Sequence, residues 1–560
     1  MTVSALQCGP ASDVADFRRT PDQVMRLDRM GSAHPTRLSF LRQMLRRMQA
    51  ENWRFDRPVW QIDAKGVGRA VYRAIGPVRT YSLVAFAHDL PDAMRSDRVI
   101  ATAWDATFAL FDGDPTATDL DRLQANVPLQ EAGRITAREL TLSRANRSVR
   151  LFGHVIDRLS QGLQPDPAEI TSVGYLMRTT AVYGAGKFGA ADRDLIADRE
   201  EVRAPFQIEM LSVWFIRAFC ADLVEHLAAV KGGPKAVLLD PATRRALGVG
   251  NSTGLGMAPF LVRHPVLLNN WMMAREEALA RVRAQPLAHA QGVTALHLAF
   301  QNFCANAALW QSSHPIQIAK LADLRADLDR IAGRLSGWPE AGRHPWNTLW
   351  LWGETALSLE GQEALLALML EPHGDLIDGL GECMSADEAQ SQRIDGGMTI
   401  ATLRQRLQTD YGWALKVDFT DPANTARFWY VSEEKLEPRL GERHQEPGAD
   451  LEQPLCIARL VQALDAGLNE LDGTGSVAEF LMQHPEHRFA LRRVQIMVRR
   501  PFAEVRDNLI AADMLPIDLM RCKLAFFGAS RFDPRSDRWV RISLFQDMPY
   551  PEDFNAKAAP

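Results

Sequence analysis

Lysine is almost missing from this chain. Of 64 basic residues only nine are Lys; the rest are Arg. A biased genome explains such a ratio, so the arginines alone do not argue for phosphate binding, but each Lys becomes a position to inspect. A basic surplus is missing as well. The formal net charge of -5 excludes the usual profile of a nucleic-acid binder. Cysteine is sparse: the six residues 8, 220, 304, 383, 456 and 522 form no C-x-x-C and no zinc spacing, which fits a reducing compartment. There is no H-E-x-x-H. The N-terminus has no basic start followed by an apolar run, so no signal peptide is expected. No apolar stretch runs unbroken through a bilayer length. The most hydrophobic segment, Pro205 to Val230, carries Glu209, Arg217, Asp222 and Glu225, so it reads as a buried helix of a soluble, cytoplasmic protein without a membrane partner. No internal repeat of 20 to 50 residues is visible.

What is present suits a multidomain globular protein. The length of 560 residues implies two to four domains, and 46% hydrophobic with 24% charged residues is ordinary. Residues 1–34 are polar and aperiodic and read as a loose arm. Residues 35–165 read as a domain of one amphipathic helix and a sheet. Its stretches 59–63, 68–75 and 80–89 are rich in β-branched and aromatic residues and are split by Lys65-Gly66 and Gly76-Pro77. These connections are too short for helical crossovers, so the pairing should be antiparallel. From about 116 to 372 the 3.6-residue period dominates, and residues 166–385 read as a helical domain. Residues 381–398 read as a loop or linker. Residues 386–560 read as a mixed C-terminal domain, with strands in 413–419 and 426–432 and a hairpin around Asp533-Pro534-Arg535. The expected class is α+β and helix-dominated: an N-terminal antiparallel sheet region, a helical middle, and a mixed C-terminal region with a late hairpin.

Residues 248–265, GVGNSTGLGMAPFLVRHP, overlay three motifs. Gly250, Ser252 and Gly254 match the G-x-S-x-G of a nucleophile elbow. Gly250, Gly254 and Gly256 match a short-chain-dehydrogenase nucleotide loop. Both need a strand ending at the first glycine, and the preceding DPATRRALGV puts two Arg where a buried strand should run. For the elbow, acid and His partners could be drawn from Asp375 or Asp378 and His444 or His484. The Tyr183–Lys187 spacing matches the dehydrogenase Y-x-x-x-K but lies upstream, inside another glycine-rich turn. The third motif is a glycine-rich turn into a helix start, with Asn251, Ser252 and Thr253 as short polar groups; free N–H groups there attract an anion.

A second segment, YLMRTTAVYGAGKFGAADRD at 175–194, is read as a helix ending in Gly184, Gly186 and Gly189 with Lys187 among them. It lacks P-loop spacing, because Phe188 follows the Lys. Arg178 within it, and Arg217 in the long apolar helix, have no acid at helical i±3 or i±4. A buried guanidinium needs a partner, either a protein carboxylate or an anionic substrate held by paired hydrogen bonds. The joined expectation is one anion pocket. Arg178, Tyr183, Gly184, Gly186, Arg217, Gly250, Asn251, Ser252, Thr253, Gly254 and Gly256 would bind the substrate, and Lys187 and His264 would do the acid–base work. His484 and His487, with Pro485 between them, read as a surface pair rather than a metal site. Asp105 reads as a solvent-facing strand residue. The leading function is an enzyme of small-molecule metabolism acting on a phosphate- or carboxylate-bearing substrate, with lyase or transferase chemistry favoured. The alternatives are a non-enzymatic helical ligand-binding or scaffold protein and a serine hydrolase using Ser252. No cofactor or metal is identified, and a homo-oligomer stays open.

Overall fold

The computed structural model describes residues 14–91, 103–129, 136–184, 196, 198–202, 204–251, 265–312, 315–340, 342–384, 393–421, 429–431, 439–440, 453–454, 457–505, 516–528, 531–533 and 541–556. The architecture is α+β and helix-dominated. The chain folds as two compact units that interleave in sequence. One joins 1–38 to 255–526, and the other joins 39–254 to 527–560.

The second of these is the sheet unit. It contains β1 (Arg54–Ile62), β2 (Gly68–Ile75), β3 (Thr80–Ala87), β4 (Ala106–Asp112), β5 (Glu139–Arg147), β6 (Tyr175–Gly184) and β7 (Gly248–Asn251). The described residues of the helical unit include three very short strands, β8 (Trp429–Val431), β9 (Arg439–Leu440) and β10 (Gln453–Pro454). The sheet unit ends with β11 (Arg531–Asp533) and β12 (Arg541–Leu544), which pair antiparallel as the expected late hairpin. Among the described residues, nine strands form one sheet in the order β1-β2-β3-β4-β5-β6-β7-β12-β11.

Register explains why these stretches are so apolar. Val71, Val84, Ala109 and Leu142 stand in one row across β2 to β5. They pack, with Phe86 and Phe111, against Leu120 and Leu123 of the helix Ala117–Asn126. The opposite face meets the helix Gln207–Gly232. Phe219 touches Tyr72 and Phe108, and Thr141 shares a 2.7 Å hydrogen bond with Ser212. A sheet covered on both faces needs apolar residues at nearly every position, and β3 is buried from Tyr81 to Ala87. The long helix is likewise buried all round from Gln207 to Ala221, as its unstriped hydrophobicity requires.

In the helical unit, Pro265–Arg283, Ala290–Ala308, Pro315–Leu335, Pro345–Ala356 and Leu359–Leu370 follow one another through short connections. No described helix is long and apolar enough to cross a membrane. The N-terminal segment, read as a loose arm, is packed from residue 14 onward: Val24, Met25, Leu27, Met30 and Leu38 are buried. Further along, two similar turns pair with each other. Asp395-Gly-Gly-Met-Thr-Ile-Ala and Asp472-Gly-Thr-Gly-Ser-Val-Ala meet through an antiparallel bridge between Thr399 and Ser476. Ile400 N–H donates to Gly475 and Val477 N–H to Met398; Ala401 N–H donates to Gly473 and Ala478 N–H to Gly396. Thr399 and Ser476 then cap the helices that follow, Ile400–Leu415 and Val477–Gln483. Part of the expected 381–398 linker is thus one half of a reciprocal pair.

Three elements depart from the sequence reading. Residues 139–147 and 175–184, both read as helical, are central strands. Buried on both faces at 139–143 and 175–179, they lack the alternation that marks a half-exposed strand. Trp413 to Leu415, read as strand, closes the helix Ile400–Leu415.

Candidate functional site

The two glycine-rich segments begin on neighbouring strands. β6 and β7 run parallel, with Arg178 beside Gly250 and Thr179 beside Asn251. They are the one parallel pair among the described strands. The carboxyl ends of the two strands, Gly184 and Asn251, therefore point the same way. Arg178 lies in a strand, not in the expected helix, and is 4% exposed. It stands in register with Asn146 on β5 and Gly250 on β7. The exits are staggered. From Arg178 to Gly184 the extended strand covers about 20 Å, so Arg178 stands well back from the carboxyl end of β6. Tyr183, Gly184 and Asn251 are strand residues. Gly186, Lys187, Ser252, Thr253, Gly254, Gly256 and His264 lie outside the described residues.

Gly250 has a packing duty of its own. A Cβ there would stand 2.7 Å from the ring of Tyr175, and one at Gly248 would collide with Ser543 Oγ. The glycines of β7 let this strand lie close between β6 and β12. The same observation corrects the strand objection to the elbow and the nucleotide loop, because Gly248–Asn251 is a strand and ends one residue before Ser252. The acid suggested for the elbow at 378 is already held, since Arg37 Nε and Nη2 each donate to Asp378 at 2.7 Å.

Arg217 is not available as a substrate clamp. Its Nε donates to Leu247 O at 2.7 Å, its Nη1 to Met548 O at 2.9 Å and Pro549 O at 3.3 Å, and its Nη2 to Arg245 O at 3.0 Å. Its guanidinium also lies 3.9 Å from the centre of the Tyr550 ring, and Arg244 lies 4.7 Å from the same ring. Burial lowers the Arg217 pKa, with Tyr550 opposing, and burial raises that of Tyr550 to about 12. Carbonyl oxygens replace the carboxylate that sequence spacing failed to supply.

No family model, curated protein or solved structure matches this chain.

The helical unit holds a charge cluster that sequence reading missed. Arg19 Nε and Nη2 donate to the two oxygens of Glu276 at 2.9 and 2.6 Å, and Nη1 donates to Glu363 at 2.6 Å. Glu363 also takes Arg29 and Arg275, and Arg18 pairs with Glu277. Arg275, Glu276 and Glu363 are all but inaccessible. Burial, with Arg19 nearby, lowers Arg275 to about 9. The readable signal was Arg275-Glu276-Glu277 and Glu363 inside otherwise apolar helices. Lys523 was also passed over, despite the scarcity of Lys. It is buried in the helix Pro516–Phe527, and desolvation lowers it to about 7.

Asp105 is fully buried, not solvent-facing. It accepts the Arg147 N–H at 2.9 Å and faces the Arg147 side chain at 3.6 Å. His484 and His487 lie beside Glu486, and no described group of His, Cys, Asp and Glu forms a metal cluster.

Proposed function

We propose that this protein is an enzyme of small-molecule metabolism that binds a phosphate- or carboxylate-bearing substrate beside the β6–β7 pair. One observation carries the reading: the parallel pair sets a buried Arg178 next to Gly250, and both glycine-rich segments leave from it. Ligands in sheets with parallel strands favour the region beyond the carboxyl ends, where backbone N–H groups turn outward. Arg178 is the anchor for the anion. Lys187 and His264 are the candidates for proton transfer, and a lyase or transferase step suits them better than nucleophilic chemistry.

A thermal-shift screen against phosphates, nucleotides, acyl-CoAs and organic acids tests this. A ligand at a hundred times its Kd adds about 2.7 kcal/mol of stability. The shift should vanish in Arg178→Met and shrink in Lys187→Ala. A ligand whose shift survives both substitutions overturns the reading.

Three observations favour other readings. The packing roles of Gly248 and Gly250 and the commitment of Arg217 to carbonyls suit a non-enzymatic ligand-binding or scaffold protein. The end of β7 just before Ser252 suits a serine hydrolase. Labelling of Ser252 by a fluorophosphonate would promote the hydrolase, and its absence would remove it.

A further inference from the structure

The helical unit holds a cavity of about 200 Å³, lined by Trp310, Leu321, Leu324 and Leu359 and by Ala33 of the N-terminal segment. Leu321 and Leu324 come from the helix Pro315–Leu335, and Leu359 opens the helix Leu359–Leu370. Trp310, Leu321, Leu324 and Ala33 are buried. The side formed by the N-terminal segment is anchored. Ala33 N–H donates to Glu360 Oε1 at 2.9 Å, and Arg521 Nη2 donates to the carbonyls of Asp28 and Gly31 at 2.9 and 3.2 Å. The segment lies so close to the helix Pro516–Phe527 that a Cβ on Gly31 would stand 2.6 Å from the Arg521 backbone. The walls are therefore fixed before any guest arrives.

The charged residues of the wall are matched. Asp28 pairs with Arg26 at 3.6 Å, and Glu360 pairs with Arg521. Lys320 and Asp323 stand three residues apart on one helix, and Asp323 is exposed to water. Ser358 Oγ, also at the wall, donates to Asp327. A charged guest would give up its hydration and meet no surplus of the opposite sign, which is costly. The surface facing the space is predominantly apolar. Water needs roughly two to four polar partners and gains little from such a wall. An apolar guest gains burial against three leucines, and a ring also meets the indole of Trp310. A cavity of about 150 Å³ admits benzene, so this one has room for one ring and a short alkyl group.

We infer that this cavity binds a small uncharged molecule built on one apolar ring. The ring lies among Leu321, Leu324, Leu359 and Trp310, and recognition rests on shape and the absence of charge. None of these residues belongs to the proposed anion site, so the two sites stand or fall separately.

The experiment titrates three probes of similar size into the full-length protein, followed by ligand-observed NMR: toluene, benzylammonium and benzoate. Toluene should bind, and each ion should bind about tenfold more weakly or worse. Leu324→Trp, which takes up part of the space, should weaken toluene about fivefold or more. If that variant does not fold, Ala33→Leu narrows the same space from the other side. No binding of toluene, an ion that binds as tightly as toluene, or a folded Leu324→Trp or Ala33→Leu protein that keeps the full toluene affinity would each overturn the inference.

Discussion

Arg217 and Arg178 look alike in sequence, and the structure holds Arg217 on four carbonyl oxygens. Because those carbonyls belong to 245–247 and 548–549, Arg217 fixes the approach to β7 and the C-terminal segment to the long helix. Arg217→Ala should cost about 3–5 kcal/mol, since several buried carbonyls lose their donor. Urea unfolding would measure it, and ligand-induced shifts should be unchanged. Lys523 makes a pH-dependent prediction. The unfolded ammonium holds its proton to about pH 10.4, while the folded one releases it near 7 because it is desolvated. Between these values the unfolded state binds more protons, so stability rises with pH. Lys523→Met should flatten that rise and stabilise the protein at neutral pH, as read by melting temperature from pH 7 to 10.

Among elements, β7 is the most exacting. Gly250→Ala should cost about 1–3 kcal/mol through overpacking on Tyr175. Pairing it with Tyr175→Ala should recover much of that loss, which a glycine needed only for ligand contact would not do. The paired turns offer an internal control. Thr399 Oγ1 accepts from Thr402 N, and Ser476 Oγ accepts from Glu479 N, so each is a helix cap. Thr399→Ala and Ser476→Ala should cost about 1 kcal/mol each. Their bridge makes the double variant the place to look for coupling.

At the scale of the molecule, the Arg–Glu cluster ties the N-terminal segment to two helices remote in sequence. Arg19→Ala strips the bidentate pair from buried Glu276 and should cost about 3–5 kcal/mol. Glu276→Gln in the same protein should return part of this, and chemical denaturation of the four proteins of the cycle checks it. His373 adds an acid limit. Burial, helped by Arg37, lowers it to about 4, so below about pH 6.5 the unfolded chain binds a proton that the folded one refuses. Stability should fall from pH 6.5 to 4, and less steeply in His373→Asn.

The sequence by itself determined what depends on local composition. Stretches rich in β-branched and aromatic residues, with short breaks at Lys65-Gly66 and Gly76-Pro77, specified the antiparallel β1 to β3, and the all-round apolar run specified the helix Gln207–Gly232. Glycine and a rare Lys marked the two segments that begin at β6 and β7. Only tertiary structure decided that 139–147 and 175–184 are strands, because burial on both faces, as at 139–143 and 175–179, erases the period that separates strand from helix. It also decided the partners of buried charge. Carbonyl oxygens from 245 to 549 hold Arg217, and Glu276 and Glu363 hold Arg19 from more than 250 residues away. Those pairings arise from chain crossings, to which spacing along the sequence is blind.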